Sequence, residues 1–267
     1  MDVVSLYGIG LIMLLGDFST LAENYALYRP GYSPTVCRVI LGLVGKTGDQ
    51  ISAVDVGAGT GIWSRELAAN GVADLIAIEP NQQMRDHGKI ENAEYTISWR
   101  EGSGEKTGLE AECVDLVTMA SSFHWTDFDE ATREFCRVLK PNGIFSALWN
   151  TRFLESSPIL LEIEAELNRY LPNKSRVSSG RSEFCNSLTQ KLSACGLFED
   201  VIQLSGYHTE RMTINRYIGI WRSVNDIQTQ IGAENFTEFL DYIVKKLADR
   251  EFLHTKYETR AWIARKS

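Results

Sequence analysis

The sequence predicts an α/β protein: a doubly wound, mostly parallel sheet of seven strands, with an antiparallel hairpin at its C-terminal edge and a helical cap. Three observations carry this. From Ile51 to Trp149, short apolar runs alternate with segments of helical spacing. A glycine-rich turn, Gly57-Ala58-Gly59-Thr60-Gly61, joins the first such run to the first such helix. Beyond Trp149 the alternation stops, and two late strand-like stretches bracket a long helical one. Short apolar strands linked through helices imply right-handed crossovers and a sheet covered on both faces.

In chain order, Val3–Leu15 is apolar apart from Ser5, Gly8 and Gly10. It has no basic flank and is too short to span about 30 Å of hydrocarbon, so a terminal segment packed on the body is expected, with no stable membrane insertion. A helical run then ends at Arg29, because the residue before Pro30 is pushed out of the α region and Gly31 turns the chain. Thr35–Val44 has apolar residues at helical spacing.

The first strand is expected at Ile51–Val56, followed by a helix over Ile62–Ala69 and a second strand at Asp74–Ile78. A helix over Asn81–Gly88 and strands at Tyr95–Trp99 and Val114–Met119 come next. The helix Phe128–Leu139 and the turn Lys140-Pro141-Asn142-Gly143 lead into a fifth strand, Ile144–Trp149. Pro158–Leu171 and Glu183–Cys195 read as amphipathic helices, the second closed by Gly196. Val201–Thr209 and Thr255–Ala264 read as strands around the largely helical Asn215–Arg250. The division expected is a cover segment at 1–34, a ligand-binding core at 35–152, and 153–267 as the rest of the core with an inserted helical cap.

A chain of 267 residues is long enough for one large α/β domain with an insertion. A net charge of -8 argues against a protein that tracks a phosphate backbone, so no nucleic-acid partner is expected. The five cysteines are widely spaced and form no CxxC pair, which suits reduced thiols in a cytoplasmic protein and offers no metal site.

The glycine spacing narrows the ligand. A dinucleotide turn wants G-x-G-x-x-G, whereas here the third glycine, Gly61, falls one position early. The turn still lets a ligand approach the backbone closely and opens a helix N-terminus toward it. Glu79 ends the second strand about 20 residues on, where an acid can accept from both hydroxyls of a ribose. Tyr25 and Arg29 belong either to an amphipathic cover helix or to a group closing over a ligand, with the Arg29 fork offered to a carboxylate.

Five motifs occur in order: Asp55-Val-Gly57-Ala-Gly59-Thr-Gly61, Glu79-Pro80-Asn81 with Met84, Gly102-Ser103-Gly104-Glu105, Phe123-His124-Trp125, and Arg137-Val-Leu-Lys-Pro-Asn-Gly143. Together they resemble a class I methyltransferase that uses S-adenosylmethionine (SAM) and releases S-adenosylhomocysteine. Tyr28-Arg29-Pro30-Gly31-Tyr32 and Trp149-Asn150-Thr151-Arg152 resemble, more narrowly, the small-molecule branch that includes trans-aconitate methyltransferase-like proteins. The resemblance covers Phe18 to Arg152 well and the remainder in outline.

It implies that Gly57, Gly59 and Gly61 lie against the methionine part of SAM, that Asp55 orders the turn, and that Glu79, beside Pro80, holds the ribose. Ser103, Gly104 and Glu105 would border the adenine; where many relatives carry Asp, this chain has Ser103, which would transfer the contact to a backbone N–H. Ala120 and Ser121 would line the floor under the sulfonium, and Tyr25 and Arg29 would close over the cofactor.

His124 follows the fourth strand, where doubly wound sheets bind ligands, and reads either as a general base or as a positioning group. Trp125, Trp149 and Arg152, with Tyr217 and Trp221 from the cap, are the acceptor-pocket candidates, Arg152 as a bidentate partner for an acid. The expected function is methyl transfer to a small molecule, with a carboxylic acid as one acceptor, by a monomer or homodimer. The other reading is a SAM-binding regulatory or partner protein without transferase activity.

Overall fold

The computed structural model describes residues 22–172 and 180–267; the apolar stretch Val3–Leu15 lies outside the described residues. Helices α1 (Ala22–Tyr28) and α2 (Pro34–Val44) precede the sheet. Pro34 starts α2 at a position where its missing N–H is not needed, and Gly45, at φ 75°, ends it. The alternating part then runs β1 (Ser52–Val56), α3 (Ile62–Ala69), β2 (Asp74–Ile78), α4 (Gln82–Glu91), β3 (Ser98–Arg100), β4 (Val114–Ala120), α5 (Phe128–Val138) and β5 (Leu139–Arg152). After it come α6 (Pro158–Tyr170), α7 (Glu183–Ala194), β6 (Phe198–Thr213), α8 (Ile214–Arg222), α9 (Asn225–Lys246, kinked at Gly232) and β7 (Phe252–Lys266).

The seven strands lie in the order β3-β2-β1-β4-β5-β7-β6. The first five are mutually parallel, and β7 runs antiparallel to β5 from Ile144↔Arg265 to Arg152↔Tyr257. The expected C-terminal pair is therefore present with its later strand innermost. Every residue of β4 but its last is buried, which is why it is mostly apolar apart from Asp115 and Thr118, whereas β6, at the edge, is mostly exposed or half-buried. One face of the sheet packs through Val117, Phe145 and Trp149 against Phe135 of α5 and Leu188 and Leu192 of α7.

Four strands differ from expectation at their ends, two of them for local reasons. The Tyr95 N–H bonds back to the Asn92 carbonyl, so Tyr95 to Ile97 leave α4 as a turn and β3 starts at Ser98, opposite Ile76. Strand β5 starts five residues before Ile144 because Leu139 already pairs with Val114; the Lys140–Gly143 turn is absorbed as a register shift, with Asn142 at φ 61°. The late strands extend several residues past Val201–Thr209 and Thr255–Ala264 at both ends.

The chain divides into two compact units. Among the described residues, one comprises 22–29, 154–172 and 211–255, and the other 30–153, 180–210 and 256–267. The boundary between the units falls at Arg29/Pro30, inside the cover segment expected at 1–34, and α7 belongs to the unit that holds the sheet. In the helical unit, Arg29 donates through Nε to the Ser223 hydroxyl and through Nη2 to the Ser223 carbonyl, both at 2.9 Å, while lying 4.7 Å over the Tyr25 ring. Gly219 of α8 allows this closeness: a Cβ there would stand 2.4 Å from the Tyr28 ring. Among the described residues, no helix is long and apolar enough to cross a membrane.

Candidate active site

The turn after β1 needs its glycines. Gly57, Gly59 and Gly61 have φ of 65°, 57° and 78°, where a side chain is strained, and a Cβ on Gly57 would come within 2.7 Å of Ser122. Asn92, buried at the end of α4, donates to the Thr60 carbonyl at 2.9 Å and accepts from Arg65 at 3.1 Å, fixing the turn from behind. Asp55 is fully buried and accepts from the Ser64 hydroxyl at 2.6 Å and from Thr118 at 3.1 Å, which ties β1 to α3 and β4. Burial pushes its carboxyl up to about 7.

Glu79 closes β2 beside Pro80. Its Oε2 accepts the Gly59 N–H at 2.8 Å and its Oε1 accepts the Asn81 N–H at 2.9 Å. Burial raises its pKa, opposed by those two N–H groups and by Arg85. Arg85 in turn donates to the carbonyls of Glu79 and Pro80 at 2.6 and 2.8 Å.

Ser103 donates its N–H to the Lys106 carbonyl at 3.0 Å, which closes a turn over Ser103–Lys106. A Cβ on Gly104 would meet Thr126 at 2.7 Å, and Glu105 accepts the Asp127 N–H at 2.9 Å, so this loop is fastened to the start of α5. Ala120 ends β4. Ser121, at φ 58°, is a non-glycine residue held in the left-handed region; its hydroxyl is 3.1 Å from the Tyr32 hydroxyl.

Asn150, from the Trp149–Arg152 motif, builds the surroundings together with Thr259 and Glu210, which sequence reasoning did not single out. Asn150 donates to the Gly31 carbonyl at 2.7 Å and accepts from Thr259 at 3.0 Å, and Thr259 accepts the Ser33 N–H at 2.8 Å. Glu210 accepts the Gly31 N–H at 2.9 Å. The strap from Gly31 to Ser33 is therefore pinned at three points, with Tyr32 edge-on to Trp63 at 5.4 Å. The signal available in the sequence was Asn150 after an apolar strand; its partners are more than a hundred residues away.

His124 lies in the one-turn helix Phe123–Trp125 that follows β4, its ring 4.5 Å from Trp125. The fully buried Trp149 donates its indole N–H to His124 Nδ1 at 3.2 Å. Trp149 thus supports His124 from beneath. Arg152 ends β5, half-exposed. Tyr217 and Trp221 are each 1% exposed in the core of the helical unit, with Trp221 edge-on to Phe239 at 4.9 Å, so their position makes them packing residues instead of pocket walls. Arg29, held by Ser223 in that same unit, likewise has its fork committed to the protein's own backbone and hydroxyl.

Five parallel strands in this order, with β7 antiparallel beside β5, make the Rossmann-like fold of class I methyltransferases. Residues 54–147 match the family described as a methyltransferase domain. An uncharacterized methyltransferase-like protein of Schizosaccharomyces pombe is 33% identical over 158 residues, 58% of this chain and 59% of the relative. An uncharacterized methyltransferase of Mycobacterium tuberculosis is 31% identical over 136 residues, 51% of this chain and 53% of its own length. The chain spans about half the length of the curated relatives it matches. A candidate type II methyltransferase from Anaeromyxobacter dehalogenans shares the fold at a TM-score of 0.66 and 19% identity, over 89% of this chain and 98% of that one.

Proposed function

We propose that the protein transfers the methyl group of SAM to an oxygen of a small acidic acceptor. The observation that carries this reading is the Glu79 carboxylate beside the glycine turn. Each of its oxygens accepts one backbone N–H, and a carboxylate oxygen has a second lone pair, so the acid retains two acceptor positions suited to the paired hydroxyls of a ribose. The residues fit a nucleoside carrying a sulfonium.

When bound, SAM supplies a methyl group on a good leaving group that departs neutral. Gly57, Gly59 and Gly61 would admit the amino-acid part against the backbone, Glu79 would hold the ribose, and Ser103 to Glu105 would flank the base. Ala120 and Ser121 would form the floor, with Tyr32 buttressing Ser121. Arg152 would pair with the acceptor's carboxylate in a bidentate fork. What the protein chiefly has to do is hold the nucleophile about 3–3.5 Å from the methyl carbon.

Calorimetry with SAM and S-adenosylhomocysteine, followed by a labelled-methyl assay over matched carboxylic acids and phenols, tests this. Binding with methylation of acids is the expected result. Binding without turnover on any acceptor would favour a regulatory SAM-binding protein, and no binding at all would overturn both readings.

A further inference from the structure

His124 is held on one ring nitrogen only. The Trp149 indole N–H is a donor and nothing else, so at 3.2 Å from Nδ1 it requires the Nδ1 lone pair and leaves the proton of the neutral imidazole on Nε2. Trp149 has little freedom to turn away: it is fully buried, edge-on to Trp262 at 5.6 Å and tilted against Phe184 at 6.1 Å. His124 Nε2 is buried and has no hydrogen-bond partner among the described residues. A buried donor without an acceptor is unfavourable, and a ligand oxygen would relieve that. The ring stands just beyond β4, at the end of the parallel strands where ligands of doubly wound sheets bind. Burial also lowers its pKa to about 3, so it stays neutral at working pH.

We propose that His124 is a fixed neutral hydrogen-bond donor that takes one oxygen of the acceptor's carboxylate on Nε2–H, with Trp149 as the positioning residue that sets the tautomer. The inference rests on the methyl-transfer reading for the identity of the acceptor. In the reaction, the second carboxylate oxygen gives an electron pair to the methyl carbon, the O–C bond forms, and the C–S bond breaks with its pair going to sulfur. The products are a neutral ester and a thioether, and no proton has to leave. His124 is therefore not a base. A neutral hydroxyl acceptor would meet an N–H where it needs a lone pair.

The tautomer is measured without any ligand, from long-range 1H–15N spectra of protein labelled at its four histidines, with His124 assigned by difference from His124→Gln. The expected result is a neutral Nε2–H ring, unchanged from about pH 5.5 to 8.5, that becomes a mixture of tautomers in Trp149→Phe. An Nδ1–H tautomer, or titration near pH 6.5, would overturn the proposal.

Activity supplies the second arm. His124→Leu should lower kcat/KM for acids about 10- to 100-fold, chiefly through KM, and His124→Gln, which keeps an N–H near Nε2, should recover most of it. Equal collapse of kcat in both variants would restore the base reading. Loss of SAM binding in the wild type would strike the methyl-transfer reading and leave the tautomer result standing, so the two failures are distinguishable.

Discussion

The Gly59 N–H and Glu79 Oε2 are 2.8 Å apart, so the acid that closes β2 also holds the middle of the glycine turn. Glu79→Gln would keep the shape and turn one acceptor oxygen into an NH2 facing a backbone donor. The expected outcome is S-adenosylhomocysteine affinity lowered about 10- to 100-fold, with a lower Tm, read by calorimetry and thermal unfolding. Unchanged affinity would remove Glu79 from the ribose site.

Gly57→Ala forces a side chain into the left-handed region and against Ser122 at 2.7 Å. The strain alone is about 1–3 kcal/mol, measurable by urea unfolding. Adding Ser122→Gly relieves the overlap and leaves the dihedral strain, so the double variant should recover only part of the loss. Full recovery would mean that packing, and not backbone conformation, selects glycine here.

Asp55 gives a pH signature. Its carboxyl is raised from 3.8 to about 7, so between these values the folded chain keeps a proton that the unfolded chain releases. The stability it contributes is complete below about pH 4, falls as pH rises, and is gone above about pH 7. Asp55→Asn should remove this fall, which approaches about 1.4 kcal/mol per pH unit for one group. The check is the difference between wild-type and variant unfolding free energies at several pH values; parallel profiles would overturn the assignment.

Arg29 and Ser223 should couple in a double-mutant cycle. Arg29→Lys cannot reproduce donation from Nε and Nη2 together, and its expected cost is about 1–3 kcal/mol of stability, diminished when Ser223 is already Ala. SAM affinity should change little. A large loss of SAM affinity with unchanged stability would return Arg29 to the cofactor site.

Legibility in the sequence followed the range of the interaction. The strands β1, β2 and β4 and the helix α3 were readable because burial on both faces writes itself as a short, mostly apolar run, and because three glycines mark a turn whose dihedrals demand them. Glu79 was readable from its distance to that turn. The Trp149–His124 bond was not, since it joins β5 to the one-turn helix that follows β4 and leaves no local pattern. Tyr217 and Trp221 share helical spacing and aromaticity with any pocket-lining pair; only the arrival of Phe239 makes them core.

The pinning of Ser33 by Thr259 has a consequence for how the chain is made. Its two partners are separated by 226 residues, and Thr259 becomes available only after β7 has paired with β5. On a ribosome, the alternating strands and helices can assemble as they emerge, whereas the Ser33 anchor of the strap must wait for the C-terminal strand. One anchor of the earliest part of this unit to be synthesised is thus among the last contacts to form, and a stalled chain lacking β7 would carry the strap with its Ser33 N–H unanchored.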